Sequence, residues 1–156
     1  MARTTSTVGW LLRGAAAGAA GTTALNVVTY LDMAVRGRPA SSTPGDTVER
    51  LAATAHLTVP GDGEARASRV EGLGALTGLV AGVGVGGLLG LARASGFRAG
   101  TLLTTLVVLV STNGPMTVLG ITDPRTWSRA DWISDLVPHL AYAAVVTTTL
   151  DALDRP

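Results

Sequence analysis

Charged residues divide this chain into apolar stretches of the length a membrane helix requires. Eighteen uncharged residues separate Arg13 from Asp32, twenty-one separate Glu71 from Arg93, and twenty-four separate Arg98 from Asp123. A helix needs about 20 residues to cross a hydrocarbon core of about 30 Å, so the second and third stretches fit directly. The first, rich in Gly and Thr, is adequate if neighbouring helices cover it. A fourth stretch, Leu136 to Leu150, reaches only about 22 Å as a helix. Extending it to Ile133 and Leu153 sets Asp135 and Asp151 near the headgroups, with Trp127 and Trp132 as interfacial anchors. Pro138 is tolerable in the first turns of such a helix. The pattern predicts an all-α fold, a four-helix transmembrane bundle in a single domain over 1–156. Its spans fall at about 10–31, 70–92, 99–120 and 133–152.

The long connection 32–69 carries a pattern of its own. Thr43-Pro44-Gly45-Asp46 offers an N-cap, a proline at the first helical position and an acid three residues past the cap. Val48, Leu51, Ala52 and Ala55 follow on one helical face, and Pro60-Gly61-Asp62-Gly63 ends the run. This predicts a short amphipathic side helix that lies at the interface or folds back over the bundle. A solvated connector is the alternative.

Composition sharpens the choice of solvent. Charged residues are 15% of the chain, below the roughly 25% of soluble domains, and aromatics are only 4%, too few to fill a conventional core. Ala, Gly, Val, Leu and Thr suit helices that approach closely in lipid. The bilayer is therefore the expected partner. A net charge of +1 without a basic cluster argues against nucleic acid. The absence of cysteine excludes disulfides and thiol chemistry. All twelve basic residues are Arg, a mark of GC-rich codon usage and an actinobacterium-like source.

An Arg-bearing start followed by an Ala-rich run also outlines a signal peptide. The apolar stretch continues through Val27, Val28, Tyr30 and Leu31, which favours an uncleaved span. Four spans put both ends of the chain on one side, here side A, with Arg3, Arg13, Arg93, Arg98 and Arg155. Side B then holds Arg36, Arg38, Arg50, Arg66, Arg69, Arg125 and Arg129. That balance leaves orientation open under the positive-inside rule.

The second span carries the most specific signal. Gly74, Gly78, Gly82, Gly86 and Gly90 recur at every fourth residue. Each costs about 1 kcal/mol against Ala in a helix interior, so the series needs a compensating gain. Close approach of a facing helix supplies one, and the drift of about 40° per step favours a crossing at an angle. Gly14, Gly18, Gly21 and Thr22 offer a matching small face on the first span. Docking of these two spans is preferred to a homo-oligomeric contact or a glycine-lined pore.

Polar residues also recur at one depth. Counted inward from side B, Asn26, Thr77, Asn113 and His139 fall in the same half of the membrane, one on each span. Asn26 shares a face with Thr22 and Tyr30, and His139 shares one with Asp135 and Tyr142. Pro115 leaves the carbonyl of Ser111 without its usual donor, so a kink is expected beside Asn113. Interhelical hydrogen-bond glue is the plainer account of this layer. A ligand, ion or proton site is the sharper one, with His139 its most chemically versatile member.

No catalytic constellation is present. Ser134, Asp135 and His139 lie along one helix without a nucleophile elbow. His56 and His139 could share a metal with Asp32 or Glu71, but no paired-ligand spacing supports it. A haem would need a second intramembrane axial ligand. Gly84-Val85-Gly86-Gly87 follows no strand and lacks nucleotide-binding spacing. Neither an enzyme, a metal nor a cofactor is expected.

The runs GAAAGAAGTTALNVVTYLDMAVRGRPASSTPGDTVERLA and DWISDLVPHLAYA resemble uncharacterised small multi-pass membrane proteins of actinobacteria. The resemblance implies four helices and a plasma-membrane location, and it carries no activity or site residues. The leading expectation is a non-catalytic structural or accessory subunit, partnered by another membrane subunit or by copies of itself. A small transporter or channel using the polar layer comes second. A membrane enzyme acting on lipid or isoprenoid comes third.

Overall fold

The computed structural model describes residues 6–155. Among them every regular element is helical: α1 (Thr7–Arg36), α2 (Thr43–Thr54), α3 (Gly63–Ala94), α4 (Thr101–Val118) and α5 (Arg129–Leu153), with one 3-10 turn at Pro124–Thr126.

Local chemistry accounts for the helix ends. The Ser6 side chain accepts from the Gly9 amide at 3.1 Å, and α1 stops at Gly37, whose φ of 62° needs no Cβ. Ser128 and Asp131 form a reciprocal capping box at the start of α5. The side helix begins one residue earlier than its capping pattern implies. Ser42 is the N-cap and makes no side-chain cap bond, so Thr43 lies inside α2. Helix α2 buries Thr47 and Val48 but leaves Leu51 exposed, and it packs along α3. Helix α4 runs through Pro115 without interruption.

Helices α3, α4 and α5 are long and apolar enough to cross a membrane. Helix α1, at 30 residues, has the length, but its Gly, Thr and Asn content keeps it out of that group. The charge gaps thus mark four long helices, of which three are membrane-like in both length and hydropathy. The shortest gap belongs to one of those three, because α5 starts well before Asp135 and carries that carboxylate inside it.

Helix α1 packs most extensively on α3 and next on α5, while α4 rests on α5 and barely touches α3. The α1–α3 contact is backbone on backbone. A Cβ on Gly86 would strike the Gly14 carbonyl oxygen and lie 2.5 Å from Gly18 Cα, and one on Gly18 would lie 2.5 Å from the Gly82 carbonyl oxygen. Only glycine allows that approach. Around this seam, Trp10, Ala17, Val85, Val108, Tyr142, Val146 and Leu150 form the core.

The large aliphatic side chains are mostly elsewhere. Leu76, Leu79 and Val80 of α3, Leu102, Leu106 and Val110 of α4, and Leu136, Val137 and Leu140 of α5 are exposed, Leu102 at 82%. Small residues inside and leucines outside invert the soluble pattern. An apolar band of this kind in water would drive association. Three apolar helices with such a surface are compatible with a membrane protein.

Candidate functional site

The polar residues converge on two helices. Asn113 of α4 donates from Nδ2 to Oδ2 of Asp135 on α5 at 2.9 Å. One turn along α5, His139 Nδ1 lies 2.7 Å from the backbone oxygen of Asp135 and 3.4 Å from its Oδ1. A carbonyl oxygen only accepts, so Nδ1 carries a hydrogen in this arrangement. On the other side of the ring, Nε2 lies 3.3 Å from the Thr112 hydroxyl, which also lies 2.9 Å from the Val108 carbonyl oxygen. Asp135 and His139 are both half-buried, and their bonds to Asn113 and Thr112 tie α5 to α4.

The remaining expected members lie apart from this cluster. Asn26 and Tyr30 are exposed on α1. Thr77 is exposed, and its hydroxyl donates to Leu73 within its own helix at 2.8 Å. The layer therefore has two contributing helices rather than four. Residues four apart on a helix rotate by about 40°, so Asn26 and Tyr30 turn progressively away from the face that Thr22 presents to α3. Tyr142 is 1% exposed and points at α3, donating from its hydroxyl to the Gly82 carbonyl at 2.6 Å. It fastens helices together and lies away from the Asn113 cluster's bonds.

The glycine stripe divides similarly. Gly82, Gly86 and Gly90 meet Thr22, Gly18, Gly14 and the Trp10 carbonyl on α1, while Gly74 packs on Pro44 of α2. Gly78 has nothing within 4 Å of its Cβ position, because the crossing helices have diverged by that turn.

Charged residues near the helix ends form two clamps, although along the sequence they mark only the boundaries of apolar stretches. On side A the Arg93 side chain, 4% exposed, reaches Asp151 at 2.5 Å and Asp154 at 3.4 Å, and Arg98 reaches Asp154 at 2.6 Å. A basin of about 680 Å³ opens beside them, lined also by Gly100 and Arg155. Arg13 donates to the Leu153 carbonyl at 2.9 Å and stacks on Trp10. On side B, Asp32 pairs with Arg38 at 2.5 Å and Arg36 at 3.2 Å, and accepts from Ser134 of α5 at 3.3 Å. Trp127 and Trp132 meet edge to face there, at 5.0 Å.

The hydrogen bond from Arg38 holds the Asp32 carboxyl below the usual carboxylate range, against the opposing effect of desolvation. A lowered value means the charged form is preferred in the folded state. The stabilisation is complete above the ordinary carboxylate value and is lost as pH falls through the lowered one. Below about pH 4, thermal stability in detergent is expected to fall more steeply for the wild type than for Asp32→Asn. Parallel acid limbs for the two proteins would assign the Asp32–Arg38 pair no role in stability.

Among the described residues no group of three or more His, Asp or Glu side chains is placed to hold a metal ion. No family model, curated protein or solved structure matches the chain. What the fold defines is a class: an all-helical protein with three helices fit to cross a membrane.

Proposed function

We propose that the chain is a small polytopic protein of a bacterial plasma membrane, without catalytic activity, that serves as a structural or accessory subunit. One observation carries this reading. Between Arg13 and Asn26 the exposed positions of α1 are Ala16, Ala20, Thr23 and Asn26, all small or polar. The outward faces of α3, α4 and α5 carry leucine and valine instead, which α1 exposes only outside that stretch, at Leu11, Leu12, Val27 and Leu31 among others. Small and polar residues are what membrane helices present to one another, and an amide facing hydrocarbon is costly. Helix α1 is thus suited to be the fourth span once a further membrane helix covers that face. Its modest hydropathy has the same origin. The all-Arg basic complement and the actinobacterial resemblance support the bacterial assignment.

Native mass spectrometry from mild detergent tests the proposal. A second membrane polypeptide or a second copy should accompany the chain, and Asn26→Leu should weaken that association. A chain that carries lipid alone, in wild type and variant alike, would contradict it.

A small transporter or channel is the second reading, and the Asn113–Asp135–His139 cluster is what favours it. Intramembrane Asp and His are functional by default, yet here their bonds are made to one another. His139→Leu separates the readings. Structural glue predicts a stability loss of about 0.6 kcal/mol per hydrogen bond with solute and proton flux in proteoliposomes unchanged. Transport predicts that wild-type flux disappears in the variant.

A further inference from the structure

Side A carries more positive charge than its own ion pairs consume. The guanidinium groups of Arg93, Arg98 and Arg155 line the basin of about 680 Å³ with only two carboxylates, Asp151 and Asp154. Arg93 is buried and satisfied, since its Nη2 donates to Asp151 and its Nη1 to Asp154. Arg98 has only the Asp154 oxygen that Arg93 already shares, and its side chain is 67% exposed. Arg155 is exposed and makes no ion pair among the described residues.

The backbone adds to this excess. Gly100 is the N-cap of α4 and has no side chain to bond the amides of the first turn. Those amides are the positive end of the helix, the end that attracts anions. Space beside Gly100 is open, with nothing within 4 Å of its Cβ position. At the end of α5 the opposing pole is partly met, since Arg13 donates to the Leu153 carbonyl.

Volume and location narrow the ligand class. The basin falls within the range of about 300–1,000 Å³ typical of small-ligand sites. It opens where α3 and α5 end and α4 begins, the level of lipid headgroups in the membrane setting proposed above. Phe97 and Leu102, which bracket the Arg98–Gly100 wall in sequence, are both exposed and apolar. A basic basin bordered by apolar side chains suits a phosphate that carries acyl chains better than a free ion.

We propose that this basin binds the phosphate group of an anionic phospholipid, with Arg98 and Arg155 as counter-charges and the first amides of α4 as donors. Arg93, held by both carboxylates, positions α3 and α5 around the site. The assignment to lipid rests on the membrane reading, whereas the phosphate chemistry rests on the arginines.

Native mass spectrometry of the full chain in mild detergent, with equal amounts of phosphatidylglycerol and phosphatidylcholine, tests the site. The wild type should retain phosphatidylglycerol preferentially. Arg98→Gln combined with Arg155→Gln should lower that preference about tenfold. Arg125→Gln combined with Arg129→Gln, an equal loss of charge on side B, should leave it unchanged. All four positions are exposed, so both variants should keep the wild-type size-exclusion profile. No preference in the wild type, or an equal fall in both variants, would overturn the site. Displacement of phosphatidylglycerol by inorganic phosphate at equal concentration would make the ligand a soluble phosphate and overturn the lipid. A chain soluble without detergent contradicts the membrane reading and the lipid with it. A detergent-dependent chain without lipid preference contradicts the site alone.

Discussion

Gly86→Leu should abolish the fold, whereas Gly78→Leu, two turns away on the same stripe, should leave it intact. At Gly86 even a methyl group would collide with the Gly14 carbonyl and with Gly18 backbone atoms at 2.5 and 2.6 Å. Backbone atoms of a packed helix cannot swing aside as a flexible side chain would. Accommodating leucine means separating α1 from α3 along their whole seam, which forfeits the dispersion contacts of the most extensive interface in the molecule. The expected loss is more than about 4 kcal/mol, at the extreme of what single substitutions do. At Gly78 the added atoms meet open space, and replacing glycine in a helix gains a fraction of a kcal/mol in propensity. Size-exclusion profiles in mild detergent would check this: aggregation for Gly86→Leu, a wild-type peak for Gly78→Leu. Two similar profiles would mean that the stripe does not act through helix contact.

The second large effect is expected at Tyr142. Its ring fills the centre of the core against Gly21 and Val146, and its hydroxyl reaches across to the Gly82 carbonyl. Tyr142→Ala removes both contributions. In water such truncations cost about 3–5 kcal/mol, of which part is transfer of apolar surface. In the proposed bilayer setting the transfer part falls away, leaving lost packing and the cavity, so about 2–3 kcal/mol is expected. Tyr142→Phe keeps the ring and should cost no more than about 1 kcal/mol, the worth of one hydrogen bond. Unfolding in mixed micelles would resolve the two. Equal losses in both variants would shift the weight from packing to the hydroxyl.

The sequence pattern reports some of these features and is blind to others for physical reasons. A spacing of four identifies which face of α3 is small, and Gly82, Gly86 and Gly90 do lie against α1. The same spacing cannot say how far a crossing contact extends, so Gly78 reads like its neighbours while standing clear of them. Counting inward from charged flanks gives height in the bundle but not direction around a helix axis. Asn113 and His139 have both the height and the direction to join a cluster. Asn26 and Thr77 have the height alone and face outward.

Charge gaps register the absence of Asp, Glu and Arg, not the presence of lipid-like side chains. That is why 14–31 reads as a span while its Gly, Thr and Asn keep α1 below the hydropathy of the other long helices. Conversely, Asp135 read as the end of the fourth span shortens it, because a carboxylate paired with Asn113 sits comfortably inside α5. Arg93, Asp151 and Asp154 flank two apolar stretches along the sequence, where they register as boundaries; that they also bind one another depends on how the helices pack.

The leucine faces of α3, α4 and α5 require an apolar medium around the helices. Membranes from cells expressing the full-length chain, washed with alkaline carbonate, measure that medium most directly. The chain should remain with the lipid pellet and enter solution only with detergent. Its release into the wash as a folded, monodisperse protein, stable in buffer alone, would contradict the account.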